Sequence, residues 1–184
     1  MSEIDNNLNA KYHRRTPIKK FDLNQTLYTL VRNENRNNLN GQAIGFLGFN
    51  RTYKELFNDV ERLADAYIKA GIKNGDTVAI CTISTPVVQQ NLLALNKIGA
   101  ISKWIDLRSK GNDLIRNINE SECKTVVIFD ELTPLFEKII NETDINRVLM
   151  SSPKDYLPGL IRILANLKDK KEGKFIEIPE DKRF

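Results

Sequence analysis

The chain has 184 residues, 41% of them hydrophobic and 28% charged, a composition that can bury a core without disulfide or metal staples. Its net charge of +4 is uneven, with Lys11, Arg14, Arg15, Lys19 and Lys20 near the start and Lys168, Lys170, Lys171 and Lys174 near the end. The second cluster carries no interleaved aromatic and is diluted by Asp169 and Glu172; both clusters read as solvated surface and no nucleic-acid partner is expected.

No apolar run approaches the roughly 20 residues needed to cross a bilayer. Residues 1–20 are polar and do not read as a secretory signal, so the cytoplasm is the expected location. Cys81 and Cys123 are far apart with no second ligand type beside them, which makes no metal site. The one histidine, His13, lies in the polar leader, and this disfavours Ser-His-Asp and Cys-His catalysis.

Residues 1–22 show no period and read as a flexible arm. Residues 23–184 read as one α/β unit. Leu27, Leu30 and Val31 fall at helical spacing, and Asn33–Asn40 with Gly41 ends that helix. Ala43–Leu47 reads as a short strand and Gly48–Arg51 as a turn. Thr52-Tyr53-Lys54-Glu55 is a capping box, opening a helix whose stripe runs Tyr53, Leu56, Val60, Leu63, Ala64, Tyr67, Ile68. Gly71 closes it.

After that the chain alternates. Thr77–Cys81 is a buried strand, Pro86 to Ile98 a helix stopped by Gly99, and Ala100–Ile105 a strand in which Trp104 is expected to be core. Asn112–Asn119 is helical, Thr125–Phe129 a strand, Leu132–Ile140 a helix, and Arg147–Met150 a strand. This rhythm predicts a doubly wound, mostly parallel sheet with helices on both faces. Ligands of such sheets sit at the carboxyl ends of the strands. Leu157, Leu160, Ile161, Leu164 and Leu167 then share one helical face. A basic amphipathic helix can rest on a membrane surface, but such a stripe more often covers a sheet, and that second reading is preferred. Lys174–Pro179 reads as a last strand.

Chemistry is sparse. No Walker loop and no Gly-x-Gly-x-x-Gly turn is present. Gly71-Ile72-Lys73-Asn74-Gly75-Asp76 runs from a helix into a strand, the wrong order for phosphate. Asp59 and Glu61 read as outer-face carboxylates, and Glu120 and Glu122 as loop residues. Asp106 and Arg108 follow a buried strand at its carboxyl end, where a ligand contact competes with the preferred reading, a structural Asp–Arg hydrogen bond in the turn. No catalytic, cofactor-binding or metal-ligating residue is assigned.

The ordered series is more telling than any one piece. Arg51–Leu56, Leu63-Ala64, Gly71–Ile80, Ser84-Thr85-Pro86, Ala94–Ile101, Ile105–Arg108 and Ser121–Ile128 together resemble the opening of the adenylate-forming (AMP-binding) ligases, nearest to bacterial fatty-acyl-CoA synthetases. Val87 stands where that family usually has an acid, and Leu107 where proline is usual. The resemblance implies an enzyme that uses ATP, Mg2+ and coenzyme A to make an acyl-CoA from a fatty or other carboxylic acid through an acyl-adenylate. The family's phosphate loop, ribose-binding acid and C-terminal lysine all lie downstream of the region resembled. The chain is therefore expected to be an N-terminal fragment, inactive alone, with the remainder of its own enzyme as partner. A stand-alone binding or interaction domain of the same fold is the alternative. An unrelated doubly wound nucleotide-binding domain is disfavoured by the missing phosphate loop.

Overall fold

The computed structural model describes residues 24–109, 111–172 and 179–184. The expected arm over 1–22 and residues 174–178 of the expected last strand lie outside these. Helix α1 (Leu27–Glu34) starts at Thr26, whose hydroxyl accepts from the Thr29 amide at 3.1 Å. Its buried residue is Tyr28, while Leu27 is exposed. Strands β1 (Gln42–Phe46) and β2 (Phe49–Thr52) form an antiparallel hairpin. Leu47 and Gly48 take the turn, both with positive φ, as a two-residue hairpin loop requires. The expected turn at Gly48–Arg51 is therefore mostly strand.

Helix α2 (Tyr53–Lys69) carries the capping box in full, with the Glu55 amide on the Thr52 hydroxyl at 3.3 Å and the Thr52 amide on the Glu55 carboxylate at 2.8 Å. Gly71 closes it at φ 83°, a conformation that costs glycine little. Then follow β3 (Thr77–Cys81), α3 (Pro86–Lys97), β4 (Ile101–Trp104), α4 (Asn112–Asn119), β5 (Thr125–Phe129), α5 (Thr133–Ile139), β6 (Arg147–Ser151) and α6 (Gly159–Glu172). Strands β3 to β6 make one parallel sheet in the order β4-β3-β5-β6.

Alternation along the strands sorts the core into two layers. Val78, Ile80 and Val127 pack with Tyr28 of α1, with Leu56, Val60 and Tyr67 of α2 and with Leu95 of α3. Ala79, Cys81, Val126 and Ile128 pack on the other face with Leu114 and Ile118 of α4 and Phe136 of α5. Both faces of β3 and β5 are thus covered, which explains their unbroken apolar runs. The sheet is wound on both sides as expected.

Ile101 and Trp104, by contrast, are 55% and 44% exposed, because β4 is an edge strand and Trp104 is not core. Along the β6 edge, the Val148 amide donates to the Arg183 carbonyl at 2.5 Å, and Phe184 packs on the second layer.

Glu61 ties the three helices of the first layer together. It accepts from the Tyr28 hydroxyl of α1, meets Arg32 at 2.9 Å and meets Lys97 of α3 at 2.9 Å. Burial acts to raise its pKa, but these donors outweigh it and hold the carboxyl below its ordinary value. Neither Glu61 nor Asp59 is a plain solvated charge, because each one faces a neighbouring element.

Candidate functional site

The chain runs from β3 through α3 to β4 on one side and reaches β5 and β6 on the other. The strand order reverses between β3 and β5, which opens a crevice at their carboxyl ends. Thr82–Thr85, Asp130 and Ser151 reach this edge from β3, β5 and β6. Thr85 is 4% exposed and precedes Pro86 at the start of α3. Its hydroxyl makes no cap hydrogen bond, and the Thr82 and Thr85 Oγ1 atoms are buried without a partner among the described residues.

Beside the crevice lies a groove of about 610 Å³. Its lining includes Val127 of β5 and Leu149 of β6 from the first sheet face, with Met150 at the end of β6. A polar chain walls it on one side. The Tyr156 hydroxyl donates to Gln90 Oε1 at 2.8 Å, and Gln90 Nε2 donates to Asp59 Oδ2 at 3.2 Å. Asp59 also holds Arg51 at 3.2 Å and Arg62 at 2.5 Å.

These groups come from β2, α2, α3 and the 3₁₀ turn Pro153–Tyr156, so the chain fixes four elements against one another. Phe49 stacks under Arg51 at 4.4 Å and meets the Tyr156 ring edge-on at 5.4 Å. Burial pushes the Tyr156 hydroxyl up to about 12, so it stays a donor throughout the neutral range. Behind it, Tyr67 donates to Asn91 Oδ1, and Asn91 Nδ2 donates to the Val87 carbonyl at 2.7 Å. No local pattern announces this assembly, since its members are scattered from Phe49 to Tyr156 at no common period.

Asp106 and Arg108 form a bidentate pair within one exposed turn, with Arg108 Nε 3.0 Å from Asp106 Oδ1 and Nη2 2.6 Å from Oδ2. The Arg108 guanidinium holds the Asp106 carboxyl down to about 2. This is the structural turn bond. Residues Gly71–Asp76 form a turn at the amino ends of the strands, with the Lys73 amide on Asp76 at 2.8 Å, on the side away from the crevice. Glu120 and Glu122 are exposed. Val87 is buried at the start of α3 and lines the groove, so an apolar contact stands where an acid is usual in the family resembled. Among the described residues no group of three or more His, Cys, Asp or Glu side chains could hold a metal ion.

Both cysteines are buried and free. Burial, reinforced by Cys123 nearby, pushes the Cys81 thiol from 9.0 up to about 12. The folded state therefore keeps a proton that the unfolded chain releases near its ordinary thiol value. Stability drawn from this group is complete below about 9 and declines as the pH rises towards about 12. Thiol labelling with a small disulfide reagent is expected to be slow in the native chain and complete in denaturant. Fast native labelling of Cys81 would contradict its place beneath α4 and α5.

The model of the AMP-binding enzyme family matches residues 31–182. The chain belongs to that family. Its similarity to the acetyl-coenzyme A synthetase of Dictyostelium discoideum is 34% identity over 94 residues, covering 48% of this chain and 14% of that protein. Acetyl-coenzyme A synthetase 1 of Saccharomyces cerevisiae is 35% identical over 85 residues, 46% of this chain and 12% of the yeast protein.

Among solved structures, an anthranilate CoA ligase in complex with anthranoyl-AMP superposes with a TM-score of 0.66 at 16% identity, over 79% of this chain and 28% of that one. That likeness shows a common fold. The chain thus spans less than a third of the length of each of these proteins. The two sequence relatives are acetyl-coenzyme A synthetases, whereas the sequence had pointed towards fatty-acyl enzymes.

Proposed function

We propose that this chain forms the front α/β layer of an ATP-dependent acyl-CoA synthetase that activates a short carboxylate, and that it is catalytically incomplete by itself. The observation that carries this reading is the family match across residues 31–182 on a parallel sheet wound on both faces. In such a reaction the carboxylate attacks ATP, an acyl-adenylate forms and pyrophosphate leaves. The coenzyme A thiol then attacks the acyl carbon and AMP departs. Charge on the departing phosphates must be neutralised by cations or oriented dipoles.

The described residues do not fit that task, since they offer neither a phosphate loop nor a metal cluster. No catalytic step is assigned to them. Their contribution is a rigid wall. The Tyr156–Gln90–Asp59 chain and the apolar floor beside it present a preformed surface on which the remainder of an adenylation domain can close. A self-standing binding domain would need that floor sealed, so the open groove favours the incomplete enzyme. A short acid is favoured over a fatty acid by the acetyl-coenzyme A synthetases among the relatives.

The test is pyrophosphate release with Mg-ATP, coenzyme A and a series of acids from acetate to palmitate. It is run on the chain alone and on the chain joined to the downstream part of an acetyl-coenzyme A synthetase. The joined protein is expected to turn over acetate best, and the chain alone to be silent. A soluble, folded joined protein without activity would count against the reading, and preference for palmitate would overturn the short-acid part of it.

A further inference from the structure

Helix α6 stands almost clear of the body that carries it. From Ile161 to Lys168 every residue except Ala165 is exposed, so Ile161, Leu164 and Leu167 of the stripe expected to cover a sheet meet solvent instead. Ala165 and Asp169 are half-buried, and a spacing of four puts them on one helical face. The helix contacts the 3₁₀ turn Pro153–Tyr156, and the tie between the two is an ion pair. Asp169 meets Lys154 of the turn, with side chains 23% and 26% exposed. A helix of 14 residues is marginal on its own in water. One with so few buried apolar contacts belongs to the low-stability end of a structure.

This tie can release without stranding a charge. The Asp169 carboxylate, joined by Asp130 and Glu131, holds the Lys154 ammonium above its ordinary pKa. Loss of Asp169 therefore leaves Lys154 still facing two carboxylates, and it returns the Asp169 carboxylate to water. Neither partner becomes the unpaired buried charge that makes a deep ion pair costly to break. A pivot lies beside the pair. Leu157 is extended, at φ −93° and ψ 142°, as suits a residue before proline. Gly159, with the widest backbone freedom of any residue, follows Pro158 and opens the helix. We propose that α6 is a hinged flap, latched at the carboxyl edge of β5 by the Lys154–Asp169 ion pair, which opens as a unit while the parallel sheet stays folded. Opening frees the Lys154 ammonium beside Asp130, on the crevice side of the sheet. The flap belongs to this chain as it stands and does not rest on the catalytic reading, because its opening is read without turnover.

The experiment is amide hydrogen exchange of the 184-residue chain, followed peptide by peptide by mass spectrometry. In the parent, α6 amides are expected to exchange faster than those of β3 and β5 but slower than free chain. Asp169→Asn and Lys154→Met are each expected to speed α6 about tenfold, the scale of a lost charge-assisted hydrogen bond, and to leave β3 and β5 unchanged. The double variant should go no faster than either single, because both remove the same pair. Salt should speed α6 in the parent and not in Asp169→Asn, since screening weakens only a pair that exists. Unchanged exchange in both single variants would overturn the proposal. Acceleration that spreads to the sheet would do so as well, because the pair would then belong to the global fold. Exchange of the parental α6 at the free-chain rate would also overturn it, since there would be no latched state to open.

Discussion

Phe136→Ala is expected to lower the unfolding free energy by about 3–5 kcal/mol, the range for removing a buried phenyl ring and leaving a cavity. Phe136 is 1% exposed and sits among Ala79, Cys81, Val126 and Ile128 on the second sheet face. Few other groups are available to refill the space, because α5 is a short helix, Thr133–Ile139, held between two 3₁₀ turns. The neighbouring Leu135→Ala serves as control. Leu135 is 37% exposed and its truncation should cost well under half as much. Since a domain of this size is stable by only about 5–15 kcal/mol, the Phe136 variant should melt early or fail to fold. A urea midpoint indistinguishable from the parent would mean that the second layer is not packed as described.

The second large effect comes from a polar pair inside the first layer. Asn91→Leu leaves the Tyr67 hydroxyl without its acceptor in a residue that is 2% exposed, and removes the donor that meets the Val87 carbonyl at 2.7 Å. An unpaired buried hydroxyl costs about 1–3 kcal/mol. Tyr67→Phe alone should also destabilise, because it leaves Asn91 Oδ1 unpaired. Combining the two restores an all-apolar contact, so the double variant is expected to lose less than the sum of the singles. Strict additivity in chemical denaturation would show that the two side chains do not act as a pair.

Much of this fold was legible along the chain. Thr52 with Glu55 announced the start of α2, and Gly71 its end, because capping chemistry is local. The runs Thr77–Cys81 and Thr125–Phe129 announced strands covered on both faces, and both are central in the sheet. What periodicity encodes is which residues share a face, not whether a neighbour covers that face. Trp104 and Ile101 were misplaced for this reason, since nothing in Ile101–Trp104 says that β4 is an edge.

The stripe of α6 is likewise real but turned outward, which only Lys154 and its partner Asp169 decide. The hairpin turn at Leu47-Gly48 lacked the Asn-Gly signature that would have marked it. Asp59, Gln90 and Tyr156 had no signal at all, because three separated segments must first fold before they meet. The family resemblance, carried by an ordered series of weak pieces, told more about function than any single residue did.

Isothermal titration of Mg-ATP into this chain tests the central claim most directly. A front layer with no phosphate loop in its sequence and no metal-binding cluster among its described residues should give no heat beyond dilution up to millimolar nucleotide. Saturable binding in the micromolar range would contradict the account, and would mean that residues of this chain alone build a nucleotide site.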